Sequence, residues 1–141
     1  MIRAILCGAS GKMGGFVASA AENDSEISIV AGVDKVNSGE KFPVFSSFSD
    51  INVDADIIID FSNVALLDSM LDYALSQNIP LVIATTGYTE EQTGKIKKAS
   101  EKIPIFFTFN MSVGVNLIAA LAKKAASILG DGFDIEIIEQ H

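Results

Sequence analysis

The chain has 141 residues, of which 49% are hydrophobic and 20% charged, with a formal net charge of −8. That is enough chain for one domain with a real core, and it is too apolar for disorder. No stretch gathers Lys and Arg with aromatics between them, so nucleic acid is not an expected partner, and an acidic surface gives anionic membranes nothing to attract.

Ile2 to Cys7 is an apolar run that reads as a buried strand and passes directly into Gly8-Ala9-Ser10-Gly11-Lys12-Met13-Gly14. A strand feeding a glycine turn that opens a helix is a phosphate-binding device. The glycines let the backbone turn and approach an anion, and the exposed N–H groups and helix dipole then attract a pyrophosphate. The spacing is G-x-x-G-x-x-G, with Ser10 where the commoner pattern has its second glycine. Gly14, Gly15, Ala18 and Ala21 form a small-residue stripe expected to bring the helix close to the sheet. Ile27 to Val33 reads as the second strand and ends in Asp34-Lys35. An acid there, roughly 20 residues past the glycines, is where a dinucleotide fold places its ribose-binding carboxylate. Lys35 could offset the repulsion between that carboxylate and a 2′-phosphate, and reads equally well as a surface lysine.

A polar stretch follows, with a short strand expected near Val44 to Phe45. Asp56 to Phe61 is the next strand, Val64 to Gln77 a helix, and Pro80 to Ala84 a strand. Thr89-Glu90-Glu91-Gln92 is a capping box whose helix runs to about Lys102. Pro104 to Thr108 is a strand, Ser112 caps a helix to Leu129 that stops at Gly130, and Phe133 to Glu139 reads as a last strand. Ser62 is expected to cap the helix behind it. Apolar strands alternating with helices predict an α/β, doubly wound parallel sheet covered on both faces. Gly8, Asp34, Ser62, Thr85-Thr86-Gly87 and Asn110-Met111-Ser112 all fall at carboxyl ends of strands, which form one ligand-binding edge. Cys7, the single cysteine, reads as a core filler, and with no intrachain disulfide possible the cytoplasm is the expected compartment. No apolar run is expected to approach the ~20 residues of a membrane span, and no metal site is expected.

Five segments together resemble the 4-hydroxy-tetrahydrodipicolinate reductase (dihydrodipicolinate reductase) family of diaminopimelate and lysine biosynthesis. They are Gly8 to Gly14, Asp60-Phe61-Ser62, Ala84-Thr85-Thr86-Gly87, Asn110-Met111-Ser112-Val113-Gly114-Val115-Asn116, and Asp134-Ile135-Glu136-Ile137-Ile138-Glu139-Gln140-His141. The resemblance implies a Rossmann-like cofactor domain at residues 1–132, with 133–141 opening a substrate and tetramerisation domain. It implies NADH or NADPH as cofactor, a cyclic dicarboxylate as substrate, and a homotetramer. By position, Gly8, Ala9, Ser10, Gly11, Lys12 and Met13 would hold the pyrophosphate, Asp34 the ribose, and Lys35 would face a 2′-phosphate. Ala84, Thr85 and Thr86, with Thr108, Phe109, Asn110 and Met111, would line the nicotinamide end, and His141 would be the catalytic proton donor. Ala84 stands where the family usually has Gly. The family's further lysine and Ser-Gly-Thr substrate loop would come after His141, so the sequence reads as a cofactor-binding fragment, truncated before the substrate domain and inactive alone. Two alternatives stay open: another NAD(P) oxidoreductase, acting on an amino-acid semialdehyde or keto acid, and a non-enzymatic nucleotide or coenzyme A binding module.

Overall fold

A computed structural model describes residues 1–37, 39–108 and 110–138. It divides into two compact units, 1–109 and 110–141.

The first unit is a parallel sheet. Its strands are β1 (Ile2–Cys7), β2 (Ile27–Val33), β3 (Val44–Phe45), β4 (Ile57–Asp60), β5 (Leu81–Ile83) and β6 (Ile105–Phe107), in the order β3-β2-β1-β4-β5-β6. The helices α1 (Lys12–Glu22), α2 (Leu67–Gln77) and α3 (Glu90–Ala99) supply the crossovers. Strand order therefore reverses between β1 and β4, directly beneath the glycine loop. The strands finish in line, because Cys7 pairs with both Val33 and Asp60, Asp60 with Ile83, and Ile83 with Phe107. That register turns five carboxyl termini into a single edge.

β1 is covered on both faces over its apolar run from Ala4 to Cys7. Ala4, Ile5, Leu6 and Cys7 are all fully buried. Ile5 and Cys7 point into the larger cluster with Ile58, Met70, Leu71, Ala74, Ile83 and Ile96. α1 packs on β1 and β2. α2 ends at Asn78, whose left-handed backbone (φ 55°) suits an asparagine C-cap. The capping box at α3 is formed: Thr89 Oγ1 accepts from Gln92 N–H at 3.2 Å and Gln92 Oε1 from Thr89 N–H at 3.0 Å.

The second unit contains α4 (Val113–Leu129), capped by Ser112 and ended by Gly130 at φ 62°. Residues 113–132 are long and apolar enough to cross a membrane by length and composition, with a mean hydropathy of 1.4, which corrects the expectation that no run approaches that length. Lys123 and Lys124 sit at its middle, where each charge would cost about 2.5–3.5 kcal/mol in a bilayer. The strand expected from Phe133 is absent among the described residues 133–138. A strand exists by hydrogen bonding to a neighbour, and this segment pairs with none. Glu139, at its expected end, lies outside the described residues.

Candidate functional site: the carboxyl edge of the sheet

The glycine loop is built by close backbone contact. Gly8 takes a positive φ of 75°, donates its N–H to the Val33 carbonyl (2.9 Å), and accepts from Gly11 N–H (3.0 Å). A methyl at Gly8 would meet the Phe61 carbonyl oxygen at 2.5 Å, and one at Gly14 the Gly8 carbonyl oxygen at 2.1 Å. Neither position admits a side chain without moving backbone. Gly15 differs: nothing lies within 4 Å of its Cβ position, so it faces away from the sheet and leaves the expected stripe. α1 starts at Gly11 with no side-chain cap and no acid in its first turn. Its first intrahelical bond is Gly15 N–H to Gly11 carbonyl (2.9 Å), so the N–H groups of Lys12, Met13 and Gly14 have no acceptor within the helix. Those donors, the helix dipole and the exposed Lys12 favour an anion here.

Asp34 and Ser10 join the loop to the end of β2. Asp34 Oδ2 accepts from Ser10 N–H (3.0 Å), and Oδ1 from Lys35 N–H (2.7 Å). Ser10 Oγ donates to the Val36 carbonyl (2.5 Å). The residue in place of a second glycine therefore clasps the segment after β2, and each carboxylate oxygen keeps lone-pair capacity for a further donor. Lys35 is exposed.

Across the switch point, Asp60 ends β4 fully buried. Oδ1 accepts from Ser62 N–H (3.0 Å) and from Ser62 Oγ–H, and Oδ2 from the Tyr88 hydroxyl (3.3 Å). Ser62 is thus not the expected helix cap. Asp60 takes its hydroxyl, and Asn63 caps the following 3₁₀ turn by accepting from Ala65 N–H (2.9 Å). Tyr88 lies edge-on to Phe107, with ring centroids 5.8 Å apart. Its hydroxyl pKa is pushed up, first by burial and then by the Asp60 charge. Burial likewise pushes up the Cys7 thiol, with the Asp60 and Asp34 charges adding to it; its position in the core bears out the filler reading. Thr85 is only 6% exposed, and among the described residues its Oγ1 meets full hydrogen-bond geometry with none, although it lies close enough to the Tyr88 hydroxyl to interact with it.

The first unit thus places Gly8, Ala9, Ser10, Gly11, Lys12, Met13, Asp34, Lys35, Ala84, Thr85, Thr86 and Thr108 along one edge. Ala84 N–H donates to the Asp60 carbonyl (2.9 Å) and Thr108 N–H to the Ile83 carbonyl (3.0 Å), which anchors both segments to the sheet. Asn110 and Met111 belong to the second unit, where Asn110 Oδ1 accepts from Ser112 N–H (3.0 Å). Phe109 and His141 lie outside the described residues. Asp60 and Tyr88 received no role from sequence reasoning. The available signal was an aspartate closing the run Ile57-Ile58-Ile59, in register with apolar positions.

A glycine cradle closed to side chains, open helix N–H groups and a strand-end carboxylate fit the parts of a dinucleotide. A family model described as dihydrodipicolinate reductase, N-terminus, matches residues 2–111. A 4-hydroxy-tetrahydrodipicolinate reductase from Clostridium novyi (strain NT) is 43% identical, over the whole of this chain and 56% of the relative. One from Caldanaerobacter subterraneus subsp. tengcongensis is 45% identical with the same coverage. The chain thus spans about half the length of these relatives. Among solved structures, a dipicolinate-bound dihydrodipicolinate reductase from Paenisporosarcina sp. TG-14 superposes with a TM-score of 0.76 at 24% identity, covering 90% of this chain and 54% of that one. At that identity the likeness speaks to the fold.

Proposed function

The chain belongs to the dihydrodipicolinate reductase family by its N-terminal part, and on that premise we propose that it is the cofactor-binding part of an NAD(P)H-dependent reductase. The reaction proposed for the whole protein is reduction of 4-hydroxy-tetrahydrodipicolinate to tetrahydrodipicolinate in diaminopimelate and lysine biosynthesis, in the cytoplasm. The observation that carries this reading is the glycine cradle set against Asp34 at the switch point of a parallel sheet. Bound nicotinamide supplies the hydride. The protein's part is to bind and orient it. The N–H groups of Lys12, Met13 and Gly14 receive the pyrophosphate, and Asp34 accepts from the adenosine ribose. Ala84, Thr85, Thr86 and Thr108 line the nicotinamide end, to which the family resemblance adds Phe109, Asn110 and Met111. His141 supplies the proton, a role suited to an imidazole whose pKa lies near working pH. Residues 1–132 form the cofactor domain, and 133–141 enter a substrate domain through which the whole protein assembles as a tetramer.

The test is a titration of the chain with NADH and NADPH, beside Asp34→Ala. Loss of hydrogen bonds to a charged group is worth about 1.5–3 kcal/mol, so NADH should bind roughly 10–100-fold more weakly to the variant. NADPH should lose less, because its 2′-phosphate is repelled by the carboxylate that the variant removes. A folded wild-type chain that binds neither nucleotide saturably would sink the reading.

A further inference from the structure

Asp60 is a buried carboxyl group with no cation paired to it among the described residues. It is fully buried, and among the described residues its donors are neutral groups and no lysine or arginine forms an ion pair with it. Neutral donors satisfy lone pairs and leave the charge uncancelled. Burying such a charge costs stability, and an amide of the same shape would cost less. Its field reaches the neighbouring groups, since it helps to raise both the Cys7 thiol and the Tyr88 hydroxyl. A costly charge of this kind at a ligand edge is a reason to look for work that it does there.

Topology says which part of a ligand the charge would meet. The glycine loop follows β1 and Asp34 follows β2, so a dinucleotide held there extends across the switch point to the ends of β4 and β5. Asp60 is the last residue of β4, and Thr85 comes just after β5. The two redox forms of a nicotinamide dinucleotide share the pyrophosphate and both riboses. They differ by one positive charge on the ring, left behind when a hydride (two electrons and one proton) departs.

We propose that Asp60 sets the redox potential of the bound cofactor: its buried charge beneath the edge favours the oxidised, positively charged ring and so makes the reduced form a stronger hydride donor. This rests on the nicotinamide reading of the edge. Asp60 is not a catalytic residue in this scheme, since it acts through its charge.

The experiment measures NAD+ and NADH affinities of the 141-residue chain by calorimetry, for wild type, Asp60→Asn and Tyr88→Phe. The ratio of the two affinities is the readout, because everything common to both forms cancels. In Asp60→Asn the side-chain oxygen can still accept from Ser62 and the amide can donate to Tyr88. One unit charge removed within about 10 Å, at an effective dielectric of ~20, corresponds to roughly a tenfold shift of the ratio toward NADH. For a two-electron couple that is ~30 mV. If both affinities fall together and the ratio holds, Asp60 only braces the loops and the proposal is overturned. If Asp60→Asn does not fold, Tyr88→Phe decides between the two. Removing one donor leaves the charge less screened, so the ratio should move toward NAD+, and no movement or the opposite movement overturns the proposal. A wild-type chain that binds neither form defeats the cofactor reading and this proposal with it, whereas binding with an unmoved ratio defeats this proposal alone.

Discussion

Two adjacent glycines in α1 should respond oppositely to the same substitution. In Gly14→Ala the new methyl would sit 2.1 Å from the Gly8 carbonyl oxygen and 2.7 Å from that of Ala9. A carbon and a carbonyl oxygen settle at about 3.3–3.6 Å, so helix and loop must part by roughly 1 Å. The obstacle is backbone, and Gly8 is itself held by the Val33 carbonyl and by Gly11 N–H, so little can give. Overpacking of this kind costs about 1–3 kcal/mol, and the upper end applies when no flexible side chain can yield. In Gly15→Ala the methyl meets nothing within 4 Å, and the helix gains about 0.8–1 kcal/mol of intrinsic propensity. For a chain of this size 1 kcal/mol moves Tm by ~3–4 °C. Gly14→Ala gains the same propensity, so thermal unfolding followed by circular dichroism should show it melting about 7 °C below wild type and Gly15→Ala about 3 °C above it. Gly14→Ala should also bind NADH more weakly, because the displaced Gly8 carbonyl belongs to the cradle. If Gly14→Ala melts within ~2 °C of wild type, the close-approach argument for this loop is wrong.

Two further outcomes follow from single contacts. Arg3 donates Nη2–H to Asp56 Oδ1 at 2.8 Å, and its Nε–H and backbone N–H to Oδ2 at 3.1 and 2.8 Å, which holds the carboxyl at a pKa of about 2. Because the folded value lies below the unfolded ~3.9, the stabilising contribution is complete above about pH 4 and is lost as pH falls through about 2. An NMR titration should show the low midpoint in wild type and its return toward ~3.9 in Arg3→Ala; an ordinary midpoint in wild type would refute the pairing. Thr89→Ala removes the acceptor for Gln92 N–H and should cost about 1 kcal/mol in urea unfolding, with faster amide exchange confined to the first turn of α3.

Local features were legible in the sequence wherever a local cause produced them. β1 and β2 have the bounds their apolar runs announce, because the carboxyl half of each is buried in the sheet and has no other use for such residues. The capping box at Thr89 and the Ser112 cap follow from side chains reaching three residues along their own helix. Asp34 at the end of β2 was legible because an α/β crossover has a narrow range of lengths. Two of the misreadings turn on what the sheet does with a side chain or a segment. Ser62 looked like a cap until the carboxylate two residues earlier, turned inward by the sheet, claimed it. Phe133 to Ile138 has a strand's composition, and composition cannot provide a neighbouring strand to pair with.

What the sequence determined by itself is therefore the alternation of elements, the glycine turn and the acid facing it, since each is written within one β–α unit. The tertiary structure decided which glycines are obligatory, because only packing brings the Phe61 carbonyl against Gly8 and the Gly8 carbonyl against Gly14. It also decided that Asp60 is a buried charge shared between Ser62 and Tyr88, a partner 28 residues away. Burial and hydrogen bonding depend on the register of neighbouring strands, and register is set by the whole sheet.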